Sequence, residues 1–136
     1  MGVKIIDTFL PIEPQPWRRA RKNGKRHFTD AKSRAYRDAV ASLVKVELPQ
    51  GFPNGMAFRM DACFLFRIPK SWPKYKKLSP PVHLSRPDVD NLGKALADAL
   101  NGIIWDDDSQ IYDWRASKGY AETPGIHLKI MVESEI

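Results

Sequence analysis

One cysteine, Cys63, in 136 residues excludes an internal disulfide and any zinc centre built from thiolates. No apolar run approaches the roughly 20 residues that a membrane-spanning helix requires. The first residues, Met-Gly-Val-Lys-Ile-Ile-Asp, lack the long apolar stretch of a secretory signal, so the expectation is a cytoplasmic protein. Internal repeats and linker-like segments are missing as well, and 136 residues is the size of one ordinary domain. Acid is missing from two whole stretches. Residues 17–28 hold six Lys or Arg and no Asp or Glu, and residues 69–86 hold five and again none. Between Asp88 and Asp113 the sign inverts, with seven aspartates and Lys94 as the only fixed positive charge. A net charge of +6 therefore conceals segregation: basic stretches suited to a polyphosphate partner, and one acidic stretch with a separate task.

The remaining composition is that of a folded chain, 43% hydrophobic. Residues 3–10 read as a strand ended by Pro11, Pro14 and Pro16. A basic loop with an Asn23-Gly24 turn signal follows. Thr29 or Asp30 is a cap for a helix running to about Leu48, whose Tyr36, Val40, Leu43 and Val44 recur on one helical face. Residues 58–68 alternate, with Phe58, Met60, Ala62, Phe64, Phe66 and Ile68 on one side, as in a half-buried strand. After a long loop rich in proline and lysine, Asp90 to about Leu100 forms a second helix with Leu92, Ala95, Leu96, Ala99 and Leu100 buried. Residues 111–120 and 126–132 are closing strands joined by the Thr123-Pro124-Gly125 turn. The predicted fold is a single α+β domain over residues 1–136, in β-α-β-α-β-β order, with two helices packed on a small mixed sheet.

Gathered carboxylates repel one another and resist desolvation, so a fold that collects them usually offsets the charge with a cation. Asp88 precedes the second helix, Asp90 lies in its first turn, and Lys94 is one turn further on the same face. Asp106, Asp107 and Asp108 stand where the chain re-enters the sheet after Trp105. If that strand pairs beside the start of the helix, Asp108 or Asp107 joins Asp88 and Asp90 around one ion. Oxygen ligands suit Mg²⁺ or Mn²⁺, and Lys94 would then meet a phosphate. Plainer assignments compete: Asp at a helix start is also a capping residue, Lys94 also an ion-pair partner for Asp90 or Asp98, and a triple Asp also a solvated turn. A calcium-binding EF-hand loop fails, because Leu92 and Ala99 fall where oxygen ligands belong.

Taken together, Arg86-Pro-Asp-Val-Asp-Asn-Leu-Gly-Lys94, the helix to Leu100 with Asp98, and Trp105-Asp-Asp-Asp-Ser-Gln-Ile111 resemble the RusA family of Holliday-junction resolvases. These small endodeoxyribonucleases, often carried by phages and prophages, share a D-x-D-N-L-x-K segment followed by a D-D-x-Q step. The resemblance implies that Asp88, Asp90 and Asp108 are catalytic metal-binding carboxylates, with Asp107 as a competing ligand. It also implies that Lys94 is the essential lysine and that Asn91 contacts DNA. It implies Mg²⁺ dependence with Mn²⁺ as a substitute, a homodimer, no small-molecule cofactor, and paired symmetric nicks across four-way junctions in DNA recombination and repair.

The basic stretches supply candidate phosphate contacts: Arg18, Arg19, Arg21, Lys22, Lys25 and Arg26 in the first, and Lys74, Lys76 and Arg86 in the second, interleaved with Trp72 and Tyr75 as stacking platforms. His27 and His83 have no ligand partners in the sequence and are expected at the surface or in hydrogen bonds. The exposed face of the 58–68 strand, with Cys63 and Leu65, is either the pairing surface of the dimer or a sheet face packed under a loop. The alternative to an enzyme is a non-catalytic DNA-binding or replication-accessory protein whose acid cluster is structural.

Overall fold

A computed structural model of the chain describes residues 2–18, 21–23, 26–28, 31–48 and 55–133, with the side chains of 2–4, 21–23 and 26–28 excluded. Its elements are β1 (Gly2–Leu10), the short pair β2 (Arg21–Asn23) and β3 (Arg26–Phe28), α1 (Ala31–Glu47), β4 (Ala57–Arg67), α2 (Lys74–Leu78), α3 (Val89–Ala99), a 3₁₀ turn (Asp108–Gln110), β5 (Ile111–Ala121) and β6 (Gly125–Glu133). The expected α+β class and element order hold, and the short α2 and the small β2–β3 hairpin are additions. Tyr36, Val40 and Val44 of α1 and Leu92, Leu96 and Ala97 of α3 are buried with Phe58, Met60, Ala62 and Phe64 of β4 and Ile126, Leu128 and Ile130 of β6. The alternating strand and the helical stripe thus meet as their periods dictate.

The four-stranded sheet runs β1-β6-β4-β5. β6 does not fold back on β5 after the Thr123-Pro124-Gly125 turn; it crosses to lie antiparallel between β1 and β4. The pair β4–β5 is parallel, with Phe58 opposite Ile111 and Arg67 opposite Ala121. Parallel neighbours require a crossover, and α3 supplies it. The crossover sets the positions of the acids between Asp88 and Asp108. The start of α3 lies at the far end of β4, where that strand finishes. Its last turn lies at the near end, where β5 begins.

Two devices fix the re-entry into β5. Trp105, 2% exposed, donates from its indole nitrogen to the Ala97 carbonyl at 3.1 Å and meets the Phe58 ring edge-on at 5.5 Å. Immediately after it, Asp107 caps the 3₁₀ turn: its carboxylate accepts from the Ser109 amide, while the Gln110 side-chain oxygen accepts from the amides of Asp106 and Asp107. The Gln110 amide group then donates to the Met56 carbonyl at 3.0 Å, tying this turn to the entry of β4. The Asp-Asp-x-Gln step is therefore a capping motif with one acid left over, Asp108.

The connection 68–88 is pinned rather than loose. His83 is buried between Phe66 and Tyr120, with centroids at 4.6 Å from each, and Trp72 meets Tyr120 edge-on at 4.8 Å. Burial first, and the charge of Lys118 second, hold the His83 imidazole below its usual pKa. A histidine so shifted favours the folded state while neutral, so its contribution is present above the ordinary histidine range and is lost as pH falls below it. Of the two settings expected of His83, surface or hydrogen-bonded, the first is overturned: the ring is buried and stacks on Tyr120, with backbone hydrogen bonds around it.

Truncating Trp105 to Ala removes the largest fully buried side chain and leaves the Ala97 carbonyl with the Leu100 amide alone. Urea unfolding of the variant is expected to show a loss of about 3–5 kcal/mol, with Trp105→Phe costing less.

Candidate active site

Asp90, Lys94 and Asp98 recur every fourth residue along α3, so they project from one helical face, with Cβ atoms about 5–6 Å apart at each step. The opposite stripe, Leu92, Leu96, Ala97 and Ala99, is buried. Gly93 sits flush under the Trp114 ring, where an added Cβ would come within 2.4 Å of an indole carbon, which explains the absence of a side chain beside Lys94. Asp88 is the N-cap residue, yet its carboxylate makes no capping hydrogen bond. Asp107 is the reverse case: its carboxylate is engaged by Ser109, which lowers its pKa. Of the acids with a ready structural explanation, Asp107 has it realised and Asp88 does not.

Asp108 reaches Asp98. The two carboxyl groups share a hydrogen bond, and the Asp98 pKa is raised by burial first, then by that bond and the Asp108 charge, against the lowering effect of Lys94 and of a Trp17 hydrogen bond. Trp17 covers the middle of the row: the Lys94 Nζ lies 3.7 Å from its ring centroid, and its backbone amide donates to the Asn91 carbonyl at 3.0 Å. Neither Asp98 nor Trp17 stood among the site residues read from sequence. The signal for Asp98 was present, since it continues the four-residue spacing of Asp90 and Lys94. Trp17 gave none, because a tryptophan at the head of a basic stretch says nothing about which helix it will cover.

The expected gathering of Asp88, Asp90 and Asp108 in one shell is not what the chain does. Among the described residues no three carboxylate, imidazole or thiolate groups come together closely enough to hold one ion. The crossover is the reason. β5 does begin beside α3, but beside its last turn, and a helical rise of 1.5 Å per residue puts Asp90 about 12 Å along the axis from Asp98. Two carboxylates do meet, and they suit a hard divalent cation, which commonly takes one or two protein carboxylates and fills its shell with water and phosphate oxygen. The closeness of Asp108 raises the Asp98 pKa, and a cation placed between the two carboxyls would relieve their repulsion.

Beside the start of α3 opens a cleft of about 870 Å³, with Trp17, Phe66, Pro87 and Pro124 among its walls and Arg18, Lys32, Arg67 and Arg86 around it. Asp88 and Asn91 line the same cleft. Arg18, Arg86 and Asn91 are therefore brought together, and Lys32 and Arg67, unremarked in the sequence, join them. Lys74 is exposed on α2. Lys76 is engaged, its Nζ 4.2 Å from the Trp72 centroid, and that Trp72 ring already packs on Tyr120, so only Tyr75, 75% exposed, offers an open stacking face in this segment. Arg19 and Lys25 lie outside the described residues, as do the side chains of Arg21, Lys22 and Arg26.

An aspartate pair, a lysine beside it and a basic cleft along the same helix are the parts of a phosphodiesterase, and comparison with known proteins agrees. Residues 11–131 match the family model described as endodeoxyribonuclease RusA. The chain is 35% identical over 116 residues to the uncharacterized protein YqaN of Bacillus subtilis (strain 168), covering 80% of this chain and 81% of that one. It is 34% identical over 110 residues to the crossover junction endodeoxyribonuclease RusA of Escherichia coli (strain K12), covering 80% of this chain and 78% of the relative. The chain belongs to the RusA family and is an endodeoxyribonuclease.

Proposed function

We propose that this endodeoxyribonuclease acts on four-way DNA junctions, as a homodimer that places paired symmetric nicks, with Mg²⁺ as its ion and Mn²⁺ as a substitute. The observation that carries the reading is the contact of Asp98 with Asp108 beside Lys94, on the helix whose other end opens into the basic cleft. Asp108 and Asp98 would hold the ion, which when bound withdraws charge from a phosphate oxygen and acidifies a water. Lys94 balances the charge that builds on the phosphate at the transition state. Asp90, one turn from Lys94, steadies that ammonium, and Asp88, on the cleft wall, helps set where the strand enters the row. Both lie too far along the helix from Asp98 to touch a water held at the Asp98–Asp108 pair. Asn91, Arg18, Arg86, Lys32 and Arg67 hold the backbone of the arm that lies in the cleft. One copy of so small a chain offers one such row, so two cuts related by a two-fold axis call for two copies. The sheet face opposite the helices, with the half-buried Cys63 and Leu65, is the surface proposed for pairing.

Asp90→Asn and Asp108→Asn are each expected to reduce nicking of a mobile four-way junction by about 100-fold or more while leaving junction binding within a fewfold of the unaltered chain. Asp107→Asn, which weakens a cap and not the row, should lower the melting temperature and keep most of the activity. Gel assays on junction, flap and plain duplex measure both effects. Junction binding without nicks in the unaltered chain, or equal cutting of plain duplex, would sink the proposal.

The raised pKa of Asp98 carries a pH prediction. A proton and a cation compete for the Asp98–Asp108 pair, so the nicking rate should climb as pH rises through the elevated Asp98 value, and more Mg²⁺ should move that climb to lower pH. Stability should run the other way, because an acid with a raised folded pKa favours folding only when protonated. In the absence of metal, Asp98→Asn should therefore melt no lower than the unaltered chain near neutral pH, an advantage that shrinks as the solution is acidified. Rate–pH curves at two Mg²⁺ concentrations and melting curves in chelator test the two halves separately.

A further inference from the structure

Asp88 can serve the reaction only if its backbone is held, and the cap itself does not hold it by a side-chain bond. The Asp88 carbonyl takes the first helical bond, from the Leu92 amide, and the stretch before it is held from another element. The half-buried Lys118 of β5 donates from its ammonium to the carbonyls of Ser85 and Pro87, the latter at 2.9 Å, and so brackets Arg86 and ends one peptide short of Asp88. Arg86 and Asp88 both line the basic cleft, so a single ammonium orders the backbone beneath a phosphate ligand and a carboxylate together. The neighbouring stack braces the same connection: His83 lies on Tyr120, two residues beyond Lys118 on the same strand. An ammonium in a half-buried position surrenders hydration that only well-placed acceptors restore, and two backbone carbonyls bonded to one charge meet that need.

The geometry points to Lys118 as a positioning residue: the strut that fixes residues 85–88 so that Asp88 and Arg86 face the substrate. The inference rests on the endonuclease reading for its catalytic consequence, and on the hydrogen bonds alone for its structural one. Lys118 touches no phosphate in this scheme. Its loss should slow the cutting of a bound junction far more than it weakens binding, since Arg86 is one of several cleft cations and would be displaced and not removed.

The test is Lys118→Met beside Lys118→Arg, which keeps a multi-donor cation. Backbone hydrogen exchange across residues 84–90 should accelerate about tenfold in the Met variant and recover largely in the Arg variant, with exchange in β6 unchanged as the control for folding. Nicking at saturating junction should fall about 10- to 100-fold in the Met variant, with partial rescue by Arg and a junction Kd weakened by only about two- to fivefold. Unchanged exchange in residues 84–90, full nicking by the Met variant, or a loss of affinity equal to the loss of rate would each overturn the inference. If the unaltered chain cuts no junction at all, the endonuclease reading fails on its own account, and the exchange arm alone then decides whether Lys118 is the strut.

Discussion

Two parallel strands cannot be joined by a tight turn, and the arrangement of this molecule follows from that constraint. β4 and β5 lie side by side and run the same way, so the chain between them must travel the length of the sheet and return. α3 makes the return and carries a row of charged groups along its outer face. Because the helix runs against the strands, its first acids stand over the far end of the sheet and its last acid over the near end. Asp108, the first residue of the turn that opens β5, arrives at Asp98 for that reason. The basic cleft forms at the other end, where β4 finishes and the 85–88 segment turns into the helix.

Electrostatics then distinguishes acids that the sequence presents alike. Asp107 is spent on backbone amides and sits at a lowered pKa. Asp98 is forced upward by burial and by a like-charged neighbour, with Lys94 and Trp17 as partial compensation. A fold that pushes two carboxyls together accepts a local penalty, and penalties of this kind concentrate where chemistry is done.

Local pattern was legible and partnership was not. The Tyr36-Val40-Val44 stripe, the alternation from Phe58 to Phe64 and the Leu92-Leu96 face are periodic signals that any window of the chain displays, and the elements form where those periods run. Nothing local says that β5 pairs parallel to β4 or that β6 crosses over to lie between β1 and β4, because strand pairing is decided by contacts distant in sequence. The error about where Asp108 would land follows from that single unknown. The family motif carried the activity class, and the Asp-Asp-x-Gln step, read as ligands, proved half structural because a capping box and a ligand pair use the same residue types. His83 and Lys118 were invisible for a related reason: each acquires its role from a neighbour more than thirty positions away.

β5 is the outermost strand on its side of the sheet, the position at which a stray chain most readily adds itself as another strand. Its middle carries Asp113, Arg115 and Lys118 within six residues, and charges so placed make a poor template for a further apolar strand. The ammonium that braces the approach to Asp88 thus lies on one of the two rims of the sheet, and it discourages there the fibre-like stacking that a bare hydrophobic border would invite.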